Sequence, residues 1–297
     1  MLEVLTDWFS LIFNQLYSVS GAMDTFSTYN DMYYSLMNNP VFTSVAGAIM
    51  GIGVGVMLIY FLLDLAEKVQ DRSFTLQHFM RSIVFMIVAY ILIIYSMDLL
   101  QGFVAFGQAV ANLLNESSLA EGMAFFEKGT PQYDQFKEGV SDVKLLPSIG
   151  FVIKAILPWL ISTIASLIVT FLAVSRIVEM VVRCLFAPIA VSDCFRDGYR
   201  SNAIRYLKKF LAISLQYALI IGINVGMSFI IAQAVGANTG AELLTALEAT
   251  NFSGEGCTEF LDSLLGGDHY LLLLGLLCTK VGLLIKSMGI ANDVVGV

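Results

Sequence analysis

Lys280 stands about halfway along the apolar run from Tyr270 to Gly289. An ammonium at that depth is tolerated beside a partner, in a water-filled cavity or at a subunit interface, or by snorkelling from a shifted span. Asn224, between Gly222 and Gly226 in a second apolar run, can hydrogen-bond across helices or line a polar path, the first being the commoner use. Asp98 closes a third run and is read at the membrane interface, because a carboxylate deep in lipid is costly. These three are the intramembrane polar candidates, and their chemistry is that of packing or of an ion path rather than of bond making. The histidines, His78 and His269, fall on opposite faces of the expected topology, and no HExxH, Walker or GxSxG pattern is present. Cys184, Cys194, Cys257 and Cys278 form neither a CxxC site nor a disulfide framework. No catalysis, metal or cofactor is expected.

The charges that remain are concentrated. Between Arg176 and Lys209 lie Arg176, Arg183, Arg196, Arg200, Arg205, Lys208 and Lys209, seven of the sixteen Lys and Arg residues of the chain, bounded on both sides by long uncharged runs. Such a cluster marks a cytoplasmic loop. Within it Arg176, Glu179 and Arg183 share one helix face, so Glu179 can pair back to Arg176 and forward to Arg183. Ala187-Pro188 is expected to break that helix. Ser201 is placed as the N-cap of the next one, which runs through Arg205, Lys208 and Lys209. The result is a helical hairpin over residues 176–209, projecting into the cytosol, that either sets topology alone or docks a cytoplasmic partner through Arg176, Glu179, Arg183, Pro188, Arg196, Arg200, Arg205, Lys208 and Lys209.

The elements around it are membrane spans. A composition 57% hydrophobic and 13% charged, with mean hydropathy +0.78, excludes an ordinary soluble domain, in which about 25% of residues are charged. The net charge of -8 argues against nucleic acid as a surface-bound partner, while the basic loop can meet anionic lipid. Residues 1–40 hold no Lys or Arg, so no cleaved signal peptide is expected and this segment is placed outside. Leu2, Leu5, Trp8, Ile12 and Leu16 give it an amphipathic helix, on the membrane surface or against the bundle. Residues 41–114 are read as spans one and two. The first of these, Val41 to Leu63, is 23 uncharged residues long and puts Gly47, Gly51 and Gly55 in a row suited to close helix approach. Residues 115–146 form an acidic outer loop. Residues 147–235 hold spans three and four, joined by the hairpin, with Gly222 and Gly226 as a second small-residue pair. Residues 236–269, with six carboxylates and no Lys or Arg, are a second acidic outer loop, and 270–297 are span five and an inner tail. Eleven basic residues then lie inside and three outside. The expected fold is an all-α integral membrane protein with about five transmembrane helices, N-out and C-in.

The order Arg183, Ala187, Pro188, Ile189, Ala190, then Arg196, Arg200, Arg205, Tyr206 and Lys209 leading into a long span, resembles the central segment of TrbL-type polytopic subunits of type IV secretion and conjugation machines. The resemblance implies a non-enzymatic, homo-oligomeric channel subunit of the bacterial cytoplasmic membrane that helps pass DNA or protein. Its implied partners are membrane lipid, other secretion-system membrane subunits and a cytoplasmic secretion ATPase, with nucleic acid only as cargo. The rival reading is a small-solute transporter or ion channel with Lys280, Asn224 and Asp98 near the midplane. Against it, there is no inverted repeat, and five spans do not divide into equal halves.

Overall fold

A computed structural model describes residues 2–17, 20–70, 75–116, 131–143, 145–194, 201–234, 247, 249–250 and 252–297. Among these the regular structure is helical: α1 (Leu2–Tyr17), α2 (Ser20–Met37), α3 (Pro40–Gln70), α4 (Leu76–Ile94), α5 (Ser96–Glu116), α6 (Pro131–Ser141), α7 (Leu145–Ala190), α8 (Asn202–Ala234), α9 (Gly254–Leu264) and α10 (Gly267–Val295). Helices α3, α4, α5, α7, α8 and α10 are long and apolar enough to cross a membrane, six where the sequence reading counts five. The difference lies after Ser82. There α4 stops at Ile94, the Tyr95 amide bonds back to the carbonyls of Ile91 and Ile93, and a new helix starts at Ser96. Helix α5 buries Leu100 and Val104 and leaves Asp98 exposed, and this mixed face hides it from a search for uninterrupted apolar runs.

The chain divides into two compact units. The first holds residues 1–25, 111–172 and 219–287; the second holds 26–110, 173–218 and 288–297. In the first unit Leu5 and Phe9 of α1 share a core with Phe136 and Val140 of α6, Phe151 and Ala155 of α7, and Cys257, Phe260 and Leu261 of α9. The segments read as acidic outer loops thus carry helices, α6 and α9, and α1 packs on them. Phe136 meets Phe9 edge-on at 6.3 Å and Phe260 at 6.0 Å. Trp8 stacks on Trp159 at 4.9 Å, and the Tyr133 hydroxyl donates to Asp7 Oδ1 at 2.9 Å. Phe252 has φ 55°, a left-handed conformation rare for an aromatic residue, and its carbonyl occupies the space a Cβ on Gly139 would need. Ser253 then caps α9, its Oγ accepting from the Gly256 amide at 3.2 Å. Lys154 lies 3.9 Å from Asp262 Oδ1.

In the second unit Tyr33 and Met37 of α2, Leu100 and Val104 of α5, Ile177, Met180, Cys184 and Ala187 of α7, and Phe210 and Ile213 of α8 form one core cluster, with Phe42 of α3 at its edge. A further cluster joins Met57 of α3, Ala89 and Ile93 of α4, Val191 and Ala203. Two backbone approaches depend on glycine: Gly53 of α3 against the Pro188 carbonyl, and Gly107 of α5 against the Ser214 carbonyl. The ends of α3 and α4 are tied by Lys68, which donates to Asp64 at 2.6 Å and to Ser82 Oγ at 2.8 Å.

Candidate functional site

The second half of α7 and the first half of α8 carry seven of the residues singled out by sequence. Helix α7 is unbroken through Pro158 and does not stop at Ala187-Pro188. It runs to Ala190, because the turn after the proline still closes, with the Val191 amide donating to the Ala187 carbonyl at 2.9 Å. Ser201 Oγ accepts from the Ile204 amide at 3.4 Å, and Asp193 joins it, taking the Ala203 amide at 3.2 Å and the Asn202 side chain at 3.0 Å. Two side chains therefore hold the start of α8. Arg196 and Arg200 lie outside the described residues.

Arg183 donates through Nε and Nη2 to Glu179 Oε1, at 2.9 and 2.6 Å. Its guanidinium lies 5.9 Å from the ring of Tyr206, whose hydroxyl donates to the Arg183 carbonyl. Glu179 does not pair back to Arg176 as the spacing suggests. Arg176 turns into the core and is 3% exposed, its Nη2 donating to the Ser214 carbonyl at 3.2 Å. The guanidinium lies 5.1 Å from the Tyr217 ring and 5.9 Å from the Phe26 ring, so aromatic faces take the place of a carboxylate. Its Nε and Nη1 find no acceptor among the described residues. Beside it the Tyr33 hydroxyl and Cys184 Sγ are hydrogen-bonded at 3.2 Å, and burial, then Cys184, pushes the Tyr33 phenol above its ordinary value.

Arg205, Lys208 and Lys209 are exposed on α8, while Pro188 is buried. The described parts of the hairpin pack against α3. Ile177 shares a cluster with Phe42, Pro188 meets Gly53, and Val191 and Ala203 share a cluster with Met57. Residues 177–191 therefore lie alongside residues 42–57 of the apolar run that defines span one.

Of the small residues, Gly47, Gly51 and Gly55 are exposed, with nothing of this chain within 4 Å of a Cβ built on any of them. Gly53, on the other side of the same helix, makes the internal contact. A Cβ on Gly222 would stand 3.5 Å from Leu114, and one on Gly226 would meet nothing. In the first unit Asn224 is 3% exposed and bonds its own helix, Nδ2 to the Ile220 carbonyl at 2.9 Å. Lys280 is 2% exposed, on the buried stripe of α10 formed by Leu273, Leu277 and Leu284. No group of three or more metal-ligating side chains occurs among the described residues.

Sequence alone missed Gly53, Gly107 and the aromatic cage of Arg176. Nothing in the local pattern reveals which face of a glycine-rich helix its own chain uses, or that Phe26 and Tyr217 converge on one guanidinium.

A family model described as TrbL/VirB6 plasmid conjugal transfer like protein matches residues 14–188, more than half of the chain. The match takes in Arg176, Glu179 and Arg183 and ends at Pro188. No curated protein and no solved structure matches.

Proposed function

The chain belongs to the TrbL/VirB6 plasmid conjugal transfer family and is a membrane component of that class of type IV secretion apparatus; within it, we propose, the chain is a structural, non-enzymatic subunit of the channel in the cytoplasmic membrane, assembled from several copies with other membrane subunits of the machine. The observation that carries the reading is the row of Gly47, Gly51 and Gly55. Helix α3 spends Gly53 on an internal contact and leaves three glycines, four residues apart, uncovered on its outer side. In lipid, association between helices is driven by close packing and not by hydrophobicity, and small residues at that spacing are its usual means. A second helix laid on this face would bring two backbones together, which a lipid-facing helix has no need to permit.

The mass of the detergent-solubilised protein tests this, measured by light scattering with bound detergent subtracted. Several copies of the 32.5 kDa chain are expected. Gly51→Ile should lower that mass and lower transfer between cells without lowering the amount of protein in the membrane. A monomer in both forms, or full transfer by the variant, would count against the glycine face as an assembly surface.

A further inference from the structure

The depth of the α7–α8 hairpin in the second unit fixes what its charges can face. Helix α3 from Val41 to Leu63 carries no charge, and its outer side exposes Val41, Val45, Ile52, Leu58, Ile59, Leu62 and Leu63, which requires lipid or another apolar surface around it. The hairpin runs beside this same stretch: Pro188 packs on Gly53, Ile177 shares a core cluster with Phe42, and Val191 and Ala203 share another with Met57. Glu179 and Arg183 fall inside that interval on α7, and Arg205, Lys208 and Lys209 fall inside it on α8. Counting helical rise, Lys208 is roughly 18 Å from the level of Asp64, where the charged end of α3 begins. That is beyond what a lysine stem can cover by snorkelling.

These five side chains are not taken up by the core. Arg205, Lys208 and Lys209 are exposed, and the Glu179–Arg183 pair is part-buried, with side-chain exposures of 39% and 25%. Four cations and one carboxylate on one hairpin face, at hydrocarbon depth, cannot stand against acyl chains. Charged groups in spans face protein or a water-filled space. Protein partners would need a matching acidic surface at the same depth. Within the described spans the carboxylates are Asp64 and Glu67 at the charged end of α3 beyond Leu63, Asp98 in the first turn of α5, Asp293 in the last turn of α10, and Glu179 on the hairpin itself. Water is the occupant this leaves.

We propose that the hairpin face bearing Glu179, Arg183, Arg205, Lys208 and Lys209 lines a water-filled lumen at bilayer depth, with an excess of positive charge that concentrates anionic solutes. This deepens the channel reading and rests on it for the rest of the wall, which other copies or subunits supply. The Arg183–Glu179–Tyr206 contacts hold the wall rigid, and Arg205, Lys208 and Lys209 are its charge-bearing surface.

Thiol accessibility in sealed membranes tests it with the full chain, Cys194 and Cys278 being replaced by serine. Lys208→Cys is compared with Ile52→Cys, which is 55% exposed at matching depth on the apolar side of α3. The probes are membrane-impermeant methanethiosulfonates of opposite charge. Lys208→Cys should react at least tenfold faster than Ile52→Cys, and several-fold faster with the anionic reagent than with the cationic one. Lys209→Cys repeats the reading if the first variant does not accumulate. Equal slow labelling of both positions would mean that lipid or a protein covers the face. Equal fast labelling would mean that the hairpin stands in the cytosol as a docking surface. Either overturns the lumen, as does faster reaction with the cationic reagent. None of these outcomes touches the subunit role, which stands or falls on oligomer mass and transfer.

Discussion

Gly53 and Pro188 are 135 positions apart in sequence, yet a Cβ on Gly53 would stand 2.7 Å from the Pro188 carbonyl oxygen and 2.8 Å from its carbon. The backbone of α7 is pressed onto α3 at the point where Pro188 has removed an amide from its own helix. Gly53→Ala must push backbone, not a flexible side chain, and should destabilise the protein by about 1–3 kcal/mol. Gly102→Ala, at an exposed position of α5 away from the proposed assembly face, meets nothing within 4 Å and should be neutral or stabilising by up to about 1 kcal/mol from helix propensity. Thermal unfolding of both variants in one detergent decides the matter. Equal midpoints would remove this contact from the solution structure.

Phe136 is fully buried and bridges α1 and α9 through its edge contacts with Phe9 and Phe260. Phe136→Ala should cost about 3–5 kcal/mol, as large-to-small changes at aromatic core positions do. Limited proteolysis should then cut earlier within α6 or α9, while the second unit keeps its protection. Loss of protection throughout the chain would show that the two units unfold as one.

Five of the six long helices were legible because an apolar run that crosses a bilayer must be close to unbroken, while α5, with its mixed face, was not. Val41 to Leu63 and Phe210 to Val235 announce themselves in this way. The start of α8 was legible too, since Ser201 caps it where its residue type says it should. Helices α6 and α9 were not, because each has only 11 residues and its charges, of both signs in α6 and all acidic in α9, are such as a loop would share. The packing of the hairpin's α7 arm on α3 was also invisible, because nothing local in sequence pairs Pro188 with Gly53. The same holds for Arg176, whose spacing to Glu179 suited an ion pair while Ser214, Tyr217 and Phe26 lay far off in sequence.

Cys257 packs in the core of the first unit under Gly139, and burial, with Asp142 adding to it, pushes its thiol up to about 11. At pH 8 only about 0.1% of it is thiolate, which is the reactive form. Alkylation of the native protein should therefore spare Cys257, and its rate should rise tenfold for each pH unit up to that value. Mass-spectrometric mapping after brief exposure to iodoacetamide at pH 8 checks this. Half-modification under those conditions would place the thiol near its ordinary range and deny the burial.

Arg176 poses the sharpest energetic question in the second unit. Its charge is taken from water in return for one carbonyl bond to Ser214 and two ring faces, while Nε and Nη1 have no acceptor among the described residues. Cation–π contacts of desolvated groups contribute about 2 kcal/mol or more. Three N–H groups without acceptors cost about 1–3 kcal/mol or more each, and desolving the charge adds to that. The costs exceed the gains. Arg176→Met fills the same slot without a charge and should therefore unfold at an equal or higher temperature, by as much as about 1–4 kcal/mol of added stability. Arg176→Lys should be worse than either, since an ammonium keeps the charge and loses the planar face that Tyr217 and Phe26 bracket. Thermal unfolding of the three proteins in one detergent separates these cases. A large loss in Arg176→Met would mean that the guanidinium is satisfied by acceptors beyond Ser214. Stability gained with transfer lost would mark the residue as kept for the working of the machine and not for its folding.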